Sequence, residues 1–133
     1  MTGGNRIDRP GFFMEPTVFA DCHNGMKMVR EEIFGPVVSV IKFSKGDVQG
    51  AIDIANDSDY GLFGGVFTQN KSKANIVVRA LKQGSVGNNT YLGQFYDTPF
   101  GGFKGSGYLR ELSDDGLENY LETKTVIVDC STP

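Results

Sequence analysis

Residues 37–56, VVSVIKFSKGDVQGAIDIAN, decide the fold class of this chain. The stretch opens with a nearly continuous β-branched run, which is typical of a strand covered on both faces. Apolar residues then repeat at the spacing of one helix face, at Val48, Ala51, Ile52 and Ala55. Asp47 or Ser44 can cap the first turn of that helix. A strand followed closely by an amphipathic helix predicts one unit of an α/β fold.

The same alternation continues downstream. Residues 64–68 form a short apolar run suited to a buried strand, and a second apolar helix face follows Asn70. Gly84 is placed to end that helix, and residues 85–88 supply another strand. The order strand, helix, strand, helix, strand predicts an α/β fold with a parallel sheet, helices on its faces and right-handed crossovers.

Composition indicates an ordinary globular protein. The chain has 133 residues, of which 22% are charged and 39% hydrophobic, and its formal net charge is −3. These values exclude disordered and fibrous classes, and the length suits one domain. Lysine and arginine are scattered, so we expect no nucleic-acid partner. No signal-peptide core or apolar run of ~20 residues occurs, which predicts a soluble, cytoplasmic protein without a membrane partner.

The segment EEIFGPV at residues 31–37 lies just upstream of the first predicted strand. Gly35 and Pro36 favour the end of a helix and the start of a strand. The Glu32 carboxylate can accept hydrogen bonds from two neighbouring hydroxyls, and the Phe34 ring can cover the apolar face of a ribose. The alternative is an ordinary helix terminus without a ligand, and local pattern alone favours that alternative.

Candidate nucleophiles and metal ligands are few. Cys22 and His23 are adjacent, so their side chains point apart, and no second histidine or suitably spaced cysteine completes a zinc site. Cys130 lies near the end of the chain, where side chains are poorly positioned for chemistry that needs fixed geometry. We therefore predict no metal site and no catalytic residue in this chain.

Six motifs, in the order in which they occur, resemble the C-terminal portion of the NAD(P)-dependent aldehyde dehydrogenase superfamily. They are FFMEPTVF at 12–19, EEIFGPV at 31–37, ANDSDYGL at 55–62, TPFGGFKGSG at 98–107, REL at 110–112 and YLETKTV at 120–126. The resemblance implies a loose lead-in at residues 1–10 and part of a catalytic domain, with a parallel β-α-β-α-β core, at residues 11–121. An oligomerisation strand and tail would follow at residues 122–133.

The resemblance also implies an activity, the oxidation of an aldehyde to a carboxylic acid with NAD or NADP. In the complete enzyme Glu32 would hold the hydroxyls of the nicotinamide ribose, and Phe34 would pack beside that ribose. The family's nucleophilic cysteine and general-base glutamate have no counterpart in this sequence, so we predict that the chain alone is inactive. The alternative is a standalone, non-catalytic module that assembles with a full-length relative.

The glycine-rich segment at residues 99–107 lacks the spacing of a phosphate-binding loop. It also fails as a dinucleotide fingerprint, because Arg110 stands where the third glycine is needed. A close-packed backbone turn remains possible, as does, by resemblance, a loop beside the aldehyde entrance. In that second interpretation Phe100 would line the substrate pocket, although a phenylalanine beside glycines is more typical of plain core.

The last predicted strand, ETKTVIV at residues 122–128, is rich in β-formers and has no following strand to pair with. By resemblance it belongs to the oligomerisation region, which predicts a homo-oligomer or pairing with a relative; pairing within the chain is the alternative. By resemblance, Arg110 and Glu122 match charged family positions near subunit contacts. The alternative is that both are ordinary solvated charges on the surface.

Overall fold

The computed structural model describes residues 1–91, 93 and 95–131. In chain order the elements of these residues are β1 (Thr17–Phe19), α1 (Lys27–Arg30), β2 (Val37–Ser39), α2 (Val48–Asn56), β3 (Tyr60–Gly61), β4 (Phe63–Val66), α3 (Lys71–Ala80), β5 (Ser85–Asn88), β6 (Phe103–Lys104) and α4 (Asp115–Glu118). The α/β class and the predicted order β2-α2-β4-α3-β5 are confirmed. The short β3 lies between α2 and β4 and was not predicted.

Strand pairing is parallel in the core, but the core sheet is divided. β1 pairs with β2, with Thr17 opposite Val37, and β4 pairs with β5, with Phe63 opposite Ser85. β3 and β6 form an antiparallel pair. Within the described ranges these are three separate two-stranded sheets, where the sequence predicts one parallel sheet. The order of elements constrains strand direction and crossover hand, but it does not fix which strands are neighbours.

The two long helices form where capping and apolar spacing predict them. The Asp47 carboxylate accepts a hydrogen bond from the Gly50 amide at 2.8 Å, which caps α2. Asn70 caps α3 in the same way through the Lys73 amide. The buried faces of the two helices carry Ile52, which is 3% exposed, and Ala74, which is 1% exposed. α2 packs against α3, and α3 packs against both β4 and β5.

The helix layer leaves an open apolar cleft of about 410 Å³ between α2, α3 and β4. Phe43, Val66 and Phe67 are among the residues that line it. Phe67 remains 68% exposed, and few apolar side chains elsewhere in the described residues are fully buried. Large apolar side chains left in water are typical of a surface that contacts another polypeptide.

The first residues of the chain extend the β1–β2 pair. The amides of Thr2 and Val18 each donate to the carbonyl oxygen of the other residue at 3.0 Å, and the Ile7 amide donates to Phe13 O. Isolated antiparallel bridges, Thr2 with Val18 and Arg6 with Met14, therefore lie within residues 1–10, the segment predicted to be a loose lead-in. Arg9 lies 3.5 Å from the centroid of the Phe13 ring near the turn of this hairpin.

The C-terminal segment, which the sequence predicts to pair with another subunit, is exposed. Residues 122–128 form no strand in the described part of the chain, and Ile127 is 90% exposed. A strand needs a neighbour to satisfy its backbone donors and acceptors, so the oligomerisation strand at residues 122–133 stays a prediction. The longest described helix, α3, has 10 residues, and none of the helices described is long and apolar enough to cross a membrane.

Candidate functional site

The helix-to-strand corner at residues 31–37 forms as predicted. α1 ends at Arg30, and the Glu31 amide donates to Lys27 O at 2.9 Å. Two tight turns follow, in which the Gly35 amide donates to Ile33 O and the Val37 amide donates to Gly35 O. These hydrogen bonds hold the backbone that carries the two candidate ribose contacts.

Glu32 and Phe34 are both exposed on this corner. Phe34 is 91% exposed, and the Glu32 carboxylate makes no hydrogen bond or ion pair within the described residues. Glu32 borders a cavity of about 340 Å³ that is also lined by Tyr60, Leu62 and Ser106. An ionised carboxylate with all its acceptor sites open fits a ligand that presents hydroxyl donors. Phe34 does not line that cavity.

The neighbouring carboxylate has a different environment. Glu31 lies 3.8 Å from the ammonium of Lys27, one turn earlier in α1, and both side chains are largely exposed. An exposed pair of this kind supports a short helix weakly. Glu31 thus contacts the helix that precedes it, whereas the Glu32 carboxylate has no partner within the described residues.

A polar junction at residues 55–60 lies behind the corner. Arg30 donates to the Asp57 carboxylate at 2.9 Å and to the Asp57 carbonyl oxygen at 3.1 Å. Asn24 also donates to that carboxylate, at 2.8 Å. The hydrogen bond from Arg30, followed by that from Asn24, lowers the pKa of the Asp57 carboxyl below its usual value. These contacts tie α1 to the end of α2.

The glycine-rich loop at residues 99–107 is fastened to the same junction. The Lys104 ammonium donates to Asn56 O at 2.7 Å and to Ser58 O at 2.8 Å. The Gly105 amide donates to Asp59 O at 2.9 Å. Sequence reasoning used residues 55–62 only as a family motif and missed this role. The polar run Asn-Asp-Ser-Asp after an amphipathic helix was the available signal.

The glycines of the loop and of the turn before β5 allow backbones to pack closely. A Cβ atom on Gly84 would overlap the carbonyl oxygen of Gly101, and one on Gly102 would overlap Ser106. The Ser106 hydroxyl accepts a hydrogen bond from the Gly61 amide at 2.9 Å. These contacts support the close-packed turn, one of the two interpretations of the glycine-rich segment.

Phe100 is half-buried at the start of this loop. Its amide donates to Glu111 O at 2.8 Å, and the Glu111 amide donates back at 2.6 Å. Phe100 lines neither the cavity of about 410 Å³ nor that of about 340 Å³, and its place in a substrate pocket stays a prediction. The predicted site residues are therefore not gathered around one cavity: Glu32 lines the cavity of about 340 Å³ together with Ser106, whereas Phe34 and Phe100 do not.

Arg110 and Glu122, the two charged residues predicted to lie near subunit contacts, differ in their contacts within the chain. Arg110 folds back on its own loop, donating to Gly102 O at 3.0 Å and lying 5.2 Å from the centroid of the Phe103 ring. Glu122 is exposed at the start of the C-terminal segment. Arg110 thus stabilises the loop within the chain, and Glu122 is free to contact another molecule.

The cysteines lie apart from the corner in both sequence and environment. Cys22 is buried, with its thiol 3.5 Å from Phe19 O, and Cys130 is exposed in the C-terminal segment. The residues described include no cluster of three metal-ligating side chains.

Comparison with known proteins finds close similarity over nearly the whole chain. A sequence profile of the aldehyde dehydrogenase family matches residues 1–126. Cytosolic 10-formyltetrahydrofolate dehydrogenase of Xenopus laevis is 46% identical over 127 residues, which are 96% of this chain and 14% of that protein. An aldehyde dehydrogenase of Emericella nidulans is 50% identical over 125 residues, which are 94% of this chain and 25% of that protein.

Solved structures show the same relationship. A betaine aldehyde dehydrogenase from Staphylococcus aureus, in complex with NAD+, superimposes with a TM-score of 0.86 at 47% identity over 92% of this chain and 25% of that one. An indole-3-acetaldehyde dehydrogenase of P. syringae, also in complex with NAD+, has a TM-score of 0.86 at 45% identity. The match covers 93% of this chain and 25% of that one. The chain spans about a quarter or less of the length of these relatives.

Proposed function

Because the chain belongs to the aldehyde dehydrogenase family, we propose that it is the C-terminal portion of an NAD(P)-dependent aldehyde dehydrogenase. In this role it supplies the clamp for the nicotinamide ribose and subunit contacts, but not the nucleophile. The observation that carries the proposal is the Glu32 carboxylate, which is exposed beside a loop-lined cavity and has no partner within the described residues.

The chemistry of the clamp follows from the corner. NAD(P)+, when bound, supplies the acceptor for the hydride that leaves the aldehyde. The Glu32 carboxylate accepts hydrogen bonds from the ribose hydroxyls, and the exposed Phe34 ring covers an apolar face of the sugar. Both residues act by orientation, and a misplacement of about 1 Å costs on the order of 100-fold in rate. The NAD+ present in the two solved relatives supports this choice of cofactor.

The nucleophile comes from outside these 133 residues in this proposal. Aldehyde oxidation through a covalent intermediate needs an accessible thiolate at the site of hydride transfer. Cys22 is buried against the backbone of Phe19, and Cys130 lies in an exposed segment without a surrounding pocket. Neither thiol borders the cavity beside Glu32.

The proposed subunit contact is the segment at residues 122–128. It is rich in β-formers, exposed, and forms no strand among the residues described. A neighbouring sheet edge would satisfy its backbone groups and cover Val126, Ile127 and Val128. The same feature favours the second candidate function, a non-catalytic module that binds a full-length relative through this segment.

Activity assays test the proposal. The first sample is the purified chain, and the second is a chimera in which the chain replaces the matching quarter of the S. aureus betaine aldehyde dehydrogenase. We expect NAD+-dependent aldehyde oxidation by the chimera and none by the chain alone. Turnover by the isolated chain would contradict the proposal.

A chimera that folds and binds NAD+ but oxidises no aldehyde would also contradict the proposal.

Size-exclusion chromatography of the chain mixed with the full-length S. aureus enzyme tests the second candidate function, a non-catalytic module that binds a full-length relative. Failure to co-elute would exclude that second function.

A further inference from the structure

We propose that Lys104 is a positioning residue that holds the glycine-rich loop at a fixed spacing from the ribose-binding corner by anchoring it to the polar junction. The loop is residues 99–107, the corner is residues 31–37 and the junction is residues 55–60. The inference rests on the proposed function of the corner. Lys104 itself touches neither cofactor nor substrate in this account.

The anchor is a charged side chain at a helix end. Asn56 is the last residue of α2, and its carbonyl oxygen is among those left without a partner inside the helix. The Lys104 ammonium donates to that oxygen and to Ser58 O, at 2.7 Å and 2.8 Å, in a part-buried setting. A cation at a helix C-terminus is favoured by the helix dipole, so this anchor is specific to an ammonium or guanidinium.

The backbone of the loop at Lys104 adopts a conformation that its contacts impose. Lys104 pairs with Tyr60 across the β3–β6 ladder, and its φ of +54° lies in the left-handed region that a lysine rarely adopts. Such a conformation persists where surrounding contacts impose it. The Gly105 amide adds a hydrogen bond to Asp59 O immediately after it.

The junction is also tied to the rest of the fold. The Asn56 side chain donates to Ala80 O and accepts from the Lys82 amide, each at 2.8 Å, which fixes the junction to the end of α3. Arg30 and Asn24 fix α1 to Asp57 on another side. One six-residue segment therefore holds the helix that leads into the corner, the helix that leads into β5, and the loop.

The corner and the loop face one space. Glu32 and Ser106 both line the cavity of about 340 Å³, with Tyr60 of the junction also in its wall. Arg30 attaches α1 to the junction, and Lys104 supplies the charged attachment of the loop, beside the Gly105–Asp59 and Gly61–Ser106 hydrogen bonds. Loss of the Lys104 attachment would let the loop move relative to Glu32.

Amide hydrogen exchange on the purified chain tests this coupling without any activity assay. Lys104→Met keeps the length of the side chain and the same backbone constraint but removes the charge. We expect exchange at the Gly105 amide, and at the Glu31 amide across the junction, to accelerate at least about tenfold, because two charge-assisted hydrogen bonds are lost. The Cys22 amide, which donates to Val40 O just beyond the β1–β2 pair, should be unchanged.

Two further variants serve as controls. Lys104→Arg keeps a donor and should restore slow exchange at Gly105 and Glu31. Lys45→Met removes an exposed lysine that has no hydrogen bond or ion pair within the described residues, and it should behave as the unmodified chain. Acceleration at Gly105 with no change at Glu31 would show that Lys104 pins only its own loop, which would overturn the proposal.

Kinetics of the chimera separate positioning from simple stabilisation. In the Lys104→Met chimera we expect KM for NAD+ to rise about tenfold, with Lys104→Arg restoring it, because the ribose contacts are misaligned. A purely structural role would reduce the amount of active enzyme and leave KM unchanged, and that result would overturn the inference. If Glu32→Gln also left the chimera's kinetics unchanged, the proposed function itself would fail.

Discussion

Glu31 and Glu32 are adjacent carboxylates with different contacts. Glu31 lies beside Lys27 on its own helix, and Glu32 has no partner in the described part of the chain. The difference arises because Glu31 directly follows α1, within reach of Lys27, and the backbone then turns at Gly35. The two residues are a matched pair for experiment, because both line the cavity of about 340 Å³ and, within the described residues, Glu31 has a charged partner and Glu32 has none.

Asp57 makes the stability of the junction depend on pH. Hydrogen bonds from Arg30 and Asn24 hold its carboxyl pKa below the ordinary value of 3.8. A depressed pKa in the folded state contributes stability that is present above the unfolded-state pKa and is lost as pH falls through the folded-state pKa. We expect Asp57→Asn to be less stable than the unmodified chain near about pH 6, and the gap to shrink below about pH 4.

Urea denaturation midpoints across that pH range measure the effect. Asp21, whose pKa is also lowered, by its hydrogen bond and ion pair with Lys42, contributes to both samples and therefore cancels in the difference. A gap that stays constant from neutral to acidic pH would contradict the assigned role of Asp57.

Local contacts of single residues could be predicted from the sequence, and distant ones could not. The Asp47 cap and the exposed Glu31 follow from residues three or four positions away. Arg30 and Asp57 are 27 positions apart, and Lys104 and Ser58 are 46 apart. Such pairs depend on how the elements pack, and no local pattern specifies that packing.

At the scale of elements, the glycine-rich loop is held by backbone packing. Gly84 precedes β5, and a Cβ atom at this position would overlap the carbonyl oxygen of Gly101. We expect Gly84→Ala to destabilise the chain by about 1–3 kcal/mol through this overlap. The free energy of unfolding from urea titration measures the change.

Gly116→Ala is the control for that substitution. Gly116 lies in α4, where an added Cβ atom would make only ordinary contacts, 3.6 Å and longer, with Glu111. Alanine also favours a helix over glycine, so this variant should be no less stable than the parent. Equal stability of the two variants would contradict the close approach of the loop to the turn before β5.

The elements themselves were largely predictable, but their pairing was not. Apolar spacing and caps specify α2 and α3, and β-branched runs specify strands. β2 pairs with β1 and not with β4, because pairing is decided by tertiary neighbours that the order of elements leaves open. The segment at residues 122–128 has strand composition but no strand, because β-propensity acts only beside a partner.

At the scale of the whole molecule, much apolar surface is uncovered. The cleft of about 410 Å³ and the exposed Val126, Ile127 and Val128 suit contact with further polypeptide. Truncation after Leu121 removes the segment proposed to make the subunit contact. Because residues 122–128 form no strand in the described chain, we expect circular dichroism to be unchanged and co-elution with a full-length relative to be lost. A truncated chain that still co-elutes would place the contact elsewhere.

Single-turnover NADH formation in the chimera tests the central claim, that Glu32 orients the nicotinamide ribose, most directly. We expect Glu32→Gln to slow NADH formation by about 10-fold to 100-fold, since the neutral amide holds the ribose hydroxyls less firmly and misaligns hydride transfer. Glu31→Gln, the neighbouring control, should leave the rate unchanged. An unaltered rate in Glu32→Gln, or an equal loss in both variants, would contradict the account.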